Sequence, residues 1–323
     1  RDVGLLRKRV LIYLLAVFSV TWIYEFAILY PAWKEIRSIA ALPIAAVMFF
    51  PALSVLFTRL VTREGFGDSY IDPRFRRGKR RFYLAAWFLP SVLTLIGVCI
   101  YFLVFKDNFS PDMEYYVGVL KDQGADYAPE VAERMVISTS VAGFFLAPLL
   151  NILTCFGEEW GWRAYLLPKL RSLFGLKKAM IASGVIWGLW HLPITIMGHN
   201  YGLSYTGYPV TGILAMCVFC TVIGVFFAWL FVRTGSVFPS VLAHGALNGF
   251  ASFGIYFTRD GGNPFIGPSV TGILSGLPFI ICAVIAWRLL SKDETQAEEL
   301  PEKRGITARG EGGPQRRETQ EGR

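Results

Sequence analysis

Eight long apolar segments constrain this chain more than any other feature of its sequence. A helix needs about 20 apolar residues to cross the hydrocarbon core of a bilayer. With 54% hydrophobic and only 17% charged residues among 323, the composition excludes a water-soluble globule of this length. We therefore predict an all-α fold, a polytopic membrane helical bundle with eight transmembrane helices. The predicted spans lie near residues 10–30, 39–62, 82–105, 135–156, 179–198, 210–232, 235–257 and 265–287.

Basic residues are distributed unevenly between the two sets of loops that these spans create. If the N-terminus is cytoplasmic, the cytoplasmic loops carry 17 Lys and Arg residues outside the tail, and the opposite loops carry six. Lys and Arg concentrate in the cytoplasmic loops of membrane proteins. The count predicts an integral, multi-pass membrane protein with cytoplasmic N- and C-termini. The same bias accounts for the formal net charge of +8, so we expect no nucleic-acid partner.

The C-terminal segment differs sharply in composition from the eight spans. Residues 291–323 hold seven basic and eight acidic side chains and almost no apolar ones. A segment of this composition cannot bury enough apolar surface to fold. We predict a membrane domain of residues 1–290 followed by a disordered cytoplasmic tail, 291–323.

Ionisable side chains inside the apolar segments are the best indicators of function. Each costs about 2.5–3.5 kcal/mol at the centre of a membrane helix, so such residues are rare and often functional. Three clusters of polar and aromatic residues occur in or beside the later spans. They are Glu158 and Glu159 with Arg163, Trp187 with His191, and His244 with Asn248.

Helical spacing separates the roles of the two adjacent glutamates. Glu159 and Arg163 are four residues apart with the acid first, the favourable order for an ion pair on one helix face. Glu158 is rotated by about 100° from its neighbour. Arg163 therefore cannot easily neutralise both carboxylates. We expect Glu159 to be structural and Glu158 to be free.

The two histidine motifs have the same four-residue spacing. His191 follows Trp187, and Asn248 follows His244, so the members of each pair share a helix face. Two histidines, one free carboxylate and one amide can then converge on a single polar cavity. Each motif alone also has an ordinary interpretation, because a Glu pair often ends a solvated helix and a membrane histidine often bonds a neighbouring helix.

We assign no function to three other polar features of the sequence. His199 lies at the end of its span, where we expect an interfacial position, and Glu25 is either interfacial or a polar contact. The segment Gly65-Phe66-Gly67-Asp68 spells the G-x-G-D of intramembrane aspartyl proteases. It falls in a basic loop and not in a span, and we interpret it as a turn because Gly and Asp favour turns.

Taken in order, the three motifs resemble the CAAX-protease and bacteriocin-processing (CPBP, or Abi) family of intramembrane endopeptidases. The resemblance covers about residues 135–257, which would form the catalytic core. It implies that Glu158 and His191 polarise a water molecule and that His244 and Asn248 donate hydrogen bonds to the oxyanion. Glu159 and Arg163 would support the first motif. The family usually has Phe at the position of Trp187, so that residue is expected to alter the substrate groove.

The resemblance predicts a membrane endopeptidase acting on a membrane-associated peptide or protein, with or without a lipid anchor. Two alternatives stay open at this point. The first is a transporter or channel with a Glu/His proton or ion path, and the second is a catalytically idle immunity or scaffold protein of the same fold. A path across the membrane needs polar residues throughout, and the segments opposite the basic loops have few apart from Glu25.

The residues allow two chemistries for activating water. Neutral His191 and His244 with Glu158 would suffice as the three protein ligands of a catalytic Zn²⁺. In that arrangement no obvious general base remains, and the spans offer few carboxylates to orient the ligand histidines. We therefore expect a metal-independent mechanism without a cofactor, with Zn²⁺ as the alternative.

The predicted depth of the motifs requires one adjustment. His191 lies well inside its span, whereas the predicted fourth span ends before Glu158. We expect the fourth helix to continue past Glu158 toward Tyr165 and to place the Glu pair in a water-filled cavity open to the cytoplasm. Trp160, Trp162 and Tyr165 would then flank the mouth of that cavity at the headgroup level.

Overall fold

The fold is helical throughout, as the sequence predicts. The structure is a computed structural model, and it describes residues 2–36, 38–39, 42–75, 78–122, 124 and 128–299. Within these ranges there is no β-strand, and the only extended pairings are isolated bridges between Phe109 and Thr258 and between Asn263 and Gly267. The all-α prediction is therefore confirmed for the described chain.

Within the described residues, four helices are long and apolar enough to cross a membrane. They are α1 (Val3–Ile36), α2 (Ile44–Val61), α3 (Arg80–Val104) and α11 (Val210–Thr234). Helix α1 contains a π-helical turn at Glu25–Leu29, and α2 begins as a 3₁₀ helix. Pro90 lies inside α3.

The other predicted spans correspond to interrupted helices. Proline near a helix start explains two of the interruptions, because Pro148 and Pro193 lack the N–H that would continue the preceding helix. The eight-span count accordingly stays a prediction. The remaining helices are α4 (Glu114–Asp122), α5 (Pro129–Phe145), α6 (Ala147–Leu150), α7 (Ile152–Glu159), α8 (Leu167–Phe174), α9 (Leu176–Trp190), α10 (Leu192–Ile196), α12 (Phe238–Phe250) and α13 (Leu277–Glu299).

The last predicted span is shifted along the chain. Helix α13 begins at Leu277 because the preceding stretch is rich in Gly and Pro, which favour turns. It runs to Glu299, beyond the domain boundary predicted at residue 290. The rest of the predicted tail, 300–323, lies outside the described residues.

Helices α9 and α11 pack closely through small residues. A Cβ atom placed on Gly184 would overlap Thr221, and one placed on Gly188 would overlap the backbone of Cys217. Glycines spaced in this way let two membrane helices approach at the backbone. This contact fixes Trp187, on the same stretch of α9, and His191, the residue directly after α9, against the centre of the bundle.

The ends of the helices form two distinct faces of the bundle. Residues 62–75, 174–176 and 235–237 meet at one of them, which we call the basic end. There the Val237 N–H donates to the Tyr70 carbonyl at 3.0 Å, and Lys169 Nζ lies 2.8 Å from Glu64 Oε1. The opposite face, which we call the far end, joins residues 105–113, 197–209 and 251–276. There the Ser110 N–H donates to the Phe257 carbonyl at 2.8 Å.

The turn predicted at Gly65–Asp68 is confirmed and belongs to the basic end. Asp68 pairs with Arg59 of α2, with the Arg59 Nη2 to Asp68 Oδ1 distance at 2.9 Å. Partial burial works to raise the pKa of Asp68, but the hydrogen bond from Arg59 and the nearby Lys169 outweigh it and lower the pKa. The aspartate of the G-x-G-D sequence therefore forms an ion pair at the end of α2.

Candidate active site

The Glu motif lies on a helix that continues through a π-helical turn. Helix α7 ends at Glu159, the π-helical turn spans Trp160–Leu166, and α8 follows directly. The expected continuation of the helix past Glu158 toward Tyr165 is confirmed. Glu158 is 3% exposed and Glu159 is fully buried, so neither is a solvated helix end. π-Helical turns are often found at functional sites.

Glu158 is held by the indole of Trp187. The Trp187 Nε1–H donates to Glu158 Oε2 at 2.8 Å. The sequence left Glu158 free, and Arg163 indeed pairs with its neighbour instead. The structure adds a neutral donor that fixes the carboxylate without neutralising its charge. This contact joins residues 29 positions apart, and no local spacing predicts it.

Glu159 bridges Arg163, which follows it on the same helical run, and His244 of α12. Its Oε2 lies 3.2 Å from Arg163 Nε, which confirms the predicted pair, and its Oε1 lies 3.0 Å from His244 Nδ1. The second contact was not predicted, because His244 is 85 residues away. Glu159 therefore orients the third motif as well as the first.

Arg163 lies between the Glu pair and aromatic rings. Its guanidinium is 4.3 Å from the centroid of Trp187 and 5.3 Å from that of Phe227. Such cation–π contacts stabilise a charge that has been removed from water. Only 1% of Arg163 is exposed, so its charge depends on Glu159 and on these two rings.

His191 is oriented by a backbone carbonyl. Its Nδ1 lies 2.8 Å from the carbonyl oxygen of Trp187. Because a carbonyl only accepts, Nδ1 carries the proton and the neutral ring keeps a lone pair on Nε2. Trp190 packs edge-on to His191 with a centroid distance of 4.8 Å. His199, expected at the interface, instead stacks on His191 at 6.2 Å and lines the same cavity.

Asn248 is the most accessible of the four predicted catalytic residues. It is exposed, and its amide lies 3.8 Å from Cys155 Sγ, a weak contact that leaves the amide available. Asn248 and His244 lie one turn apart on α12, as their spacing predicts, and both line one cavity.

That cavity has a volume of about 280 Å³ and is lined by residues from all three motifs. They are Glu158, Trp187, His191, His244 and Asn248. Further lining residues come from the start of α2, the middle of α11 and the far end. The far-end members are His199, Asn200, Ala251, Ser252, Ser269, Val270 and Thr271.

The position of this cavity corrects one prediction. The expected opening to the cytoplasm stays a prediction, and the described lining includes His199, Asn200 and Ser269 of the far end. We also expected Trp160, Trp162 and Tyr165 at its mouth, and these side chains are 8%, 0% and 1% exposed. The reason is their packing: Trp162 and Tyr165 contact Tyr13 of α1, which covers them from the side.

Two further expectations can be compared with the described residues. No group of three or more His, Cys, Asp and Glu side chains within them is arranged to hold a metal ion. Glu25 is fully buried on the π-helical turn of α1, and its carboxylate has no hydrogen-bond partner in the described part of the chain. Glu25 does not line the cavity.

The apolar helices and the cavity lined by Glu158, His191 and His244 define an integral membrane protein with a polar site inside its helical bundle. Residues 140–250 match the sequence model of the family described as type II CAAX prenyl endopeptidase Rce1-like. The CAAX prenyl protease 2 of Methanococcus maripaludis is 27% identical over 100 residues, which cover 31% of this chain and 37% of that relative. The predicted resemblance is confirmed: the segment that carries the three motifs is similar to the CAAX-protease family.

The buried ion pair of Glu159 and Arg163 yields a stability prediction. Arg163→Met should lower the free energy of unfolding by about 3–5 kcal/mol, because it leaves a buried carboxylate without its cation. The double variant Arg163→Met/Glu159→Gln should lose less than the single one. Lys177→Met, at an exposed position on α9, is the matched control. Thermal unfolding in detergent measures all three, and equal stability of Arg163→Met and wild type would contradict the assignment.

Proposed function

We propose that this protein is an intramembrane endopeptidase that hydrolyses a peptide bond with water activated by Glu158 and His191. The observation that carries the proposal is the convergence of three sequence-distant motifs on one cavity, with each histidine fixed through Nδ1. The names of the matched family and of the Methanococcus maripaludis relative support the same activity. The chain covers only 37% of that relative, so the activity is proposed from the site.

The first step is attack by water on the scissile carbonyl. Glu158 and the Nε2 lone pair of His191 accept hydrogen bonds from the water, and Glu158 takes its proton as the hydroxide adds to carbon. General base catalysis of this kind contributes typically about 10²–10⁴-fold to a rate. The protonated Glu158 then delivers that proton to the leaving amine, which restores the carboxylate and completes the hydrolysis.

The developing oxyanion is stabilised by donors on α12. In this proposal His244 is protonated on both nitrogens, so Nδ1–H faces Glu159 and Nε2–H faces the oxyanion. The Asn248 amide supplies a second donor from one turn away. Donors fixed before the reaction are effective because they need no reorganisation when charge develops.

The charges of the cluster are consistent with this arrangement. Glu158 and Glu159 carry two negative charges, and Arg163 and a protonated His244 carry two positive ones. A net charge of zero lowers the free-energy cost of burying four ionisable groups inside a membrane bundle. Glu159 thereby pairs with Arg163 and also stabilises the positive charge that this proposal gives to His244.

The proposed substrate is a membrane-associated protein or peptide, and a prenylated one is supported by the names of the matched family and relative. The proposed orientation has cytoplasmic N- and C-termini, from the distribution of basic residues. A proton or ion path is the weaker alternative, because the side chains between the cavity and the basic end are buried. They include Trp162, Tyr165 and Phe227 together with the ion-paired Arg163.

The general-base role of Glu158 gives a direct test. Glu158→Gln should lower kcat by about 10²–10⁴-fold, because the amide cannot accept the proton from water. Stability should change little, since the amide still accepts from Trp187. A substrate can be found by comparative peptidomics of membranes containing wild-type or Glu158→Gln protein. Glu133→Gln, at an exposed position on α5, is the control. Wild-type turnover by Glu158→Gln would show that Glu158 is not the general base.

The indole of Trp187 gives a second test. Trp187→Phe removes the donor to Glu158 while keeping an aromatic ring, and a hydrogen bond to a charged group contributes about 1.5–3 kcal/mol. We expect kcat to fall about 10- to 100-fold, the rate equivalent of that energy, with KM nearly unchanged. Trp229→Phe is the matched control, because the Trp229 indole has no hydrogen-bond partner among the described residues. An unchanged kcat would remove Trp187 from the mechanism.

We propose a metal-independent reaction. In this mechanism Glu158 serves as the base and His244 as an N–H donor, so neither side chain is left to ligate a metal ion. We expect elemental analysis of active protein to find no stoichiometric Zn²⁺ and activity to survive exhaustive chelation. Stoichiometric zinc, with activity lost on removal and restored on re-addition, would make Glu158 a ligand.

A further inference from the structure

A second concave site lies at the basic end of the bundle, apart from the catalytic cavity. It has a volume of about 210 Å³ and forms where the loop at Tyr70, the junction of α8 with α9, and the end of α11 meet. No described residue lines both sites. We call it the junction pocket, and its wall includes Leu167, Arg171, Ser172, Leu176, Phe231 and Val232.

The floor of the junction pocket is apolar. Leu167, Leu176 and Phe231 are buried in the core of the bundle, and each contributes to the wall of the pocket. The Tyr70 ring packs edge-on against Phe231 with a centroid distance of 5.0 Å, which holds the loop before α3 beside the pocket. A ligand with hydrocarbon as well as charge suits such a floor, because it removes apolar surface from water.

The rim of the junction pocket is positively charged. Arg171 lines it from the last turn of α8. Arg74 approaches from the loop, because a Cβ atom placed on Gly235 would lie 2.5 Å from Arg74 Nη1. The Arg74 Nε to Asp72 Oδ2 distance is 3.7 Å, and both side chains are more than half exposed. Such a surface pair is weak, so the guanidinium charge of Arg74 stays available to a ligand.

The start of α9 adds backbone donors to the same place. Leu176, the first residue of α9, lines the pocket. The preceding Gly175 has no side chain that can cap the helix, so the N–H groups of the first turn need other partners. Lys177 and Lys178 follow at exposed positions. A helix N-terminus favours a phosphate group, and the two lysines add to the attraction.

Acidic residues are scarce around the junction pocket. The segments that form it, 70–79, 167–178 and 231–237, contain nine Lys and Arg residues and a single acidic residue, Asp72. No described acidic side chain lines the pocket. Lys79 donates to the Arg233 carbonyl, and Lys169 pairs with Glu64. The excess of positive charge remains when these two lysines are left out.

We propose that the junction pocket binds the headgroup of an anionic phospholipid. The phosphate is held by Arg171, Arg74 and the N–H groups at the start of α9, and the glycerol and upper acyl chains cover the apolar floor. Basic pockets between membrane helices bind anionic headgroups in this way. The site requires neither the proposed hydrolysis nor a particular orientation of the chain in the membrane.

A lipid in the junction pocket joins elements that carry catalytic residues. Arg171 lies on the helical run that contains Glu158, and Leu176 begins the helix that contains Trp187. A ligand that binds the folded protein and not the unfolded chain raises the unfolding temperature. We therefore expect an anionic phospholipid to stabilise the protein as well as to bind it.

Native mass spectrometry of the full-length protein tests this site. Delipidated protein in detergent is titrated with palmitoyl-oleoyl phosphatidylglycerol or with the phosphatidylcholine of the same acyl chains. Arg74→Gln/Arg171→Gln removes two cations from the rim. Ser172→Trp fills the pocket from an exposed position and keeps every cation. Lys121→Gln/Arg134→Gln, at exposed positions on α4 and α5, is the control for the loss of two charges.

We expect wild type and the control to bind one phosphatidylglycerol about 10-fold more tightly than phosphatidylcholine, whose choline is repelled by the rim. Arg74→Gln/Arg171→Gln and Ser172→Trp should each weaken that binding about 10-fold and lose the rise in unfolding temperature. Unfolding temperatures in lipid-free detergent should be alike for all variants, which separates loss of the site from loss of the fold. Unchanged affinity for phosphatidylglycerol in either pocket variant, or equal affinity of wild type for the two lipids, would overturn the site.

Inorganic phosphate distinguishes a lipid from a soluble anion. Excess sodium phosphate should leave phosphatidylglycerol bound, because phosphate cannot cover the apolar floor. Complete displacement would overturn the lipid assignment and indicate a site for soluble phosphate. All of these measurements detect binding and not cleavage, so a failure of the proposed endopeptidase activity leaves their outcome unchanged.

Discussion

The need to compensate buried charge in an apolar bundle determines the arrangement of the site. Glu159 and Arg163 lie on one helix run and are almost inaccessible to solvent, and their ion pair would be costly without further partners. His244 supplies one partner to Glu159, and the Trp187 and Phe227 rings supply faces to Arg163. These contacts bring α9, α11 and α12 against the Glu motif. The contacts that compensate the buried charges therefore also assemble the cavity.

Trp187 has a wider role than the substrate groove to which the sequence assigned it. Its indole N–H bonds Glu158, its carbonyl orients His191, and its ring covers Arg163. A phenylalanine, which the family usually has, would keep the ring and the carbonyl but not the N–H. The tryptophan in place of phenylalanine therefore changes how Glu158, the proposed base, is held. The packing of the ring against Arg163 can stay the same.

Sequence reasoning succeeded where the interaction was local. The helical class follows from composition, and the pairing of Glu159 with Arg163 follows from four-residue spacing. The bonds of Glu158 to Trp187 and of Glu159 to His244 depend on how helices meet, and no residue spacing contains that information. His199 was misplaced for a related reason: α9 ends at Trp190, so counting residues along one straight helix put His199 at an interface.

The same reasoning explains why the side of the cavity could not be found from the sequence. The count of basic residues orients the chain, but it does not say which helix ends enclose water. That depends on Tyr13 of α1 and on Trp162 and Tyr165 of the π-helical turn, aromatic residues from two separate parts of the chain that pack together and close one side. A cavity closed on one side also suits a membrane enzyme, because the polar groups needed for hydrolysis then receive water without forming a continuous path for ions across the bilayer.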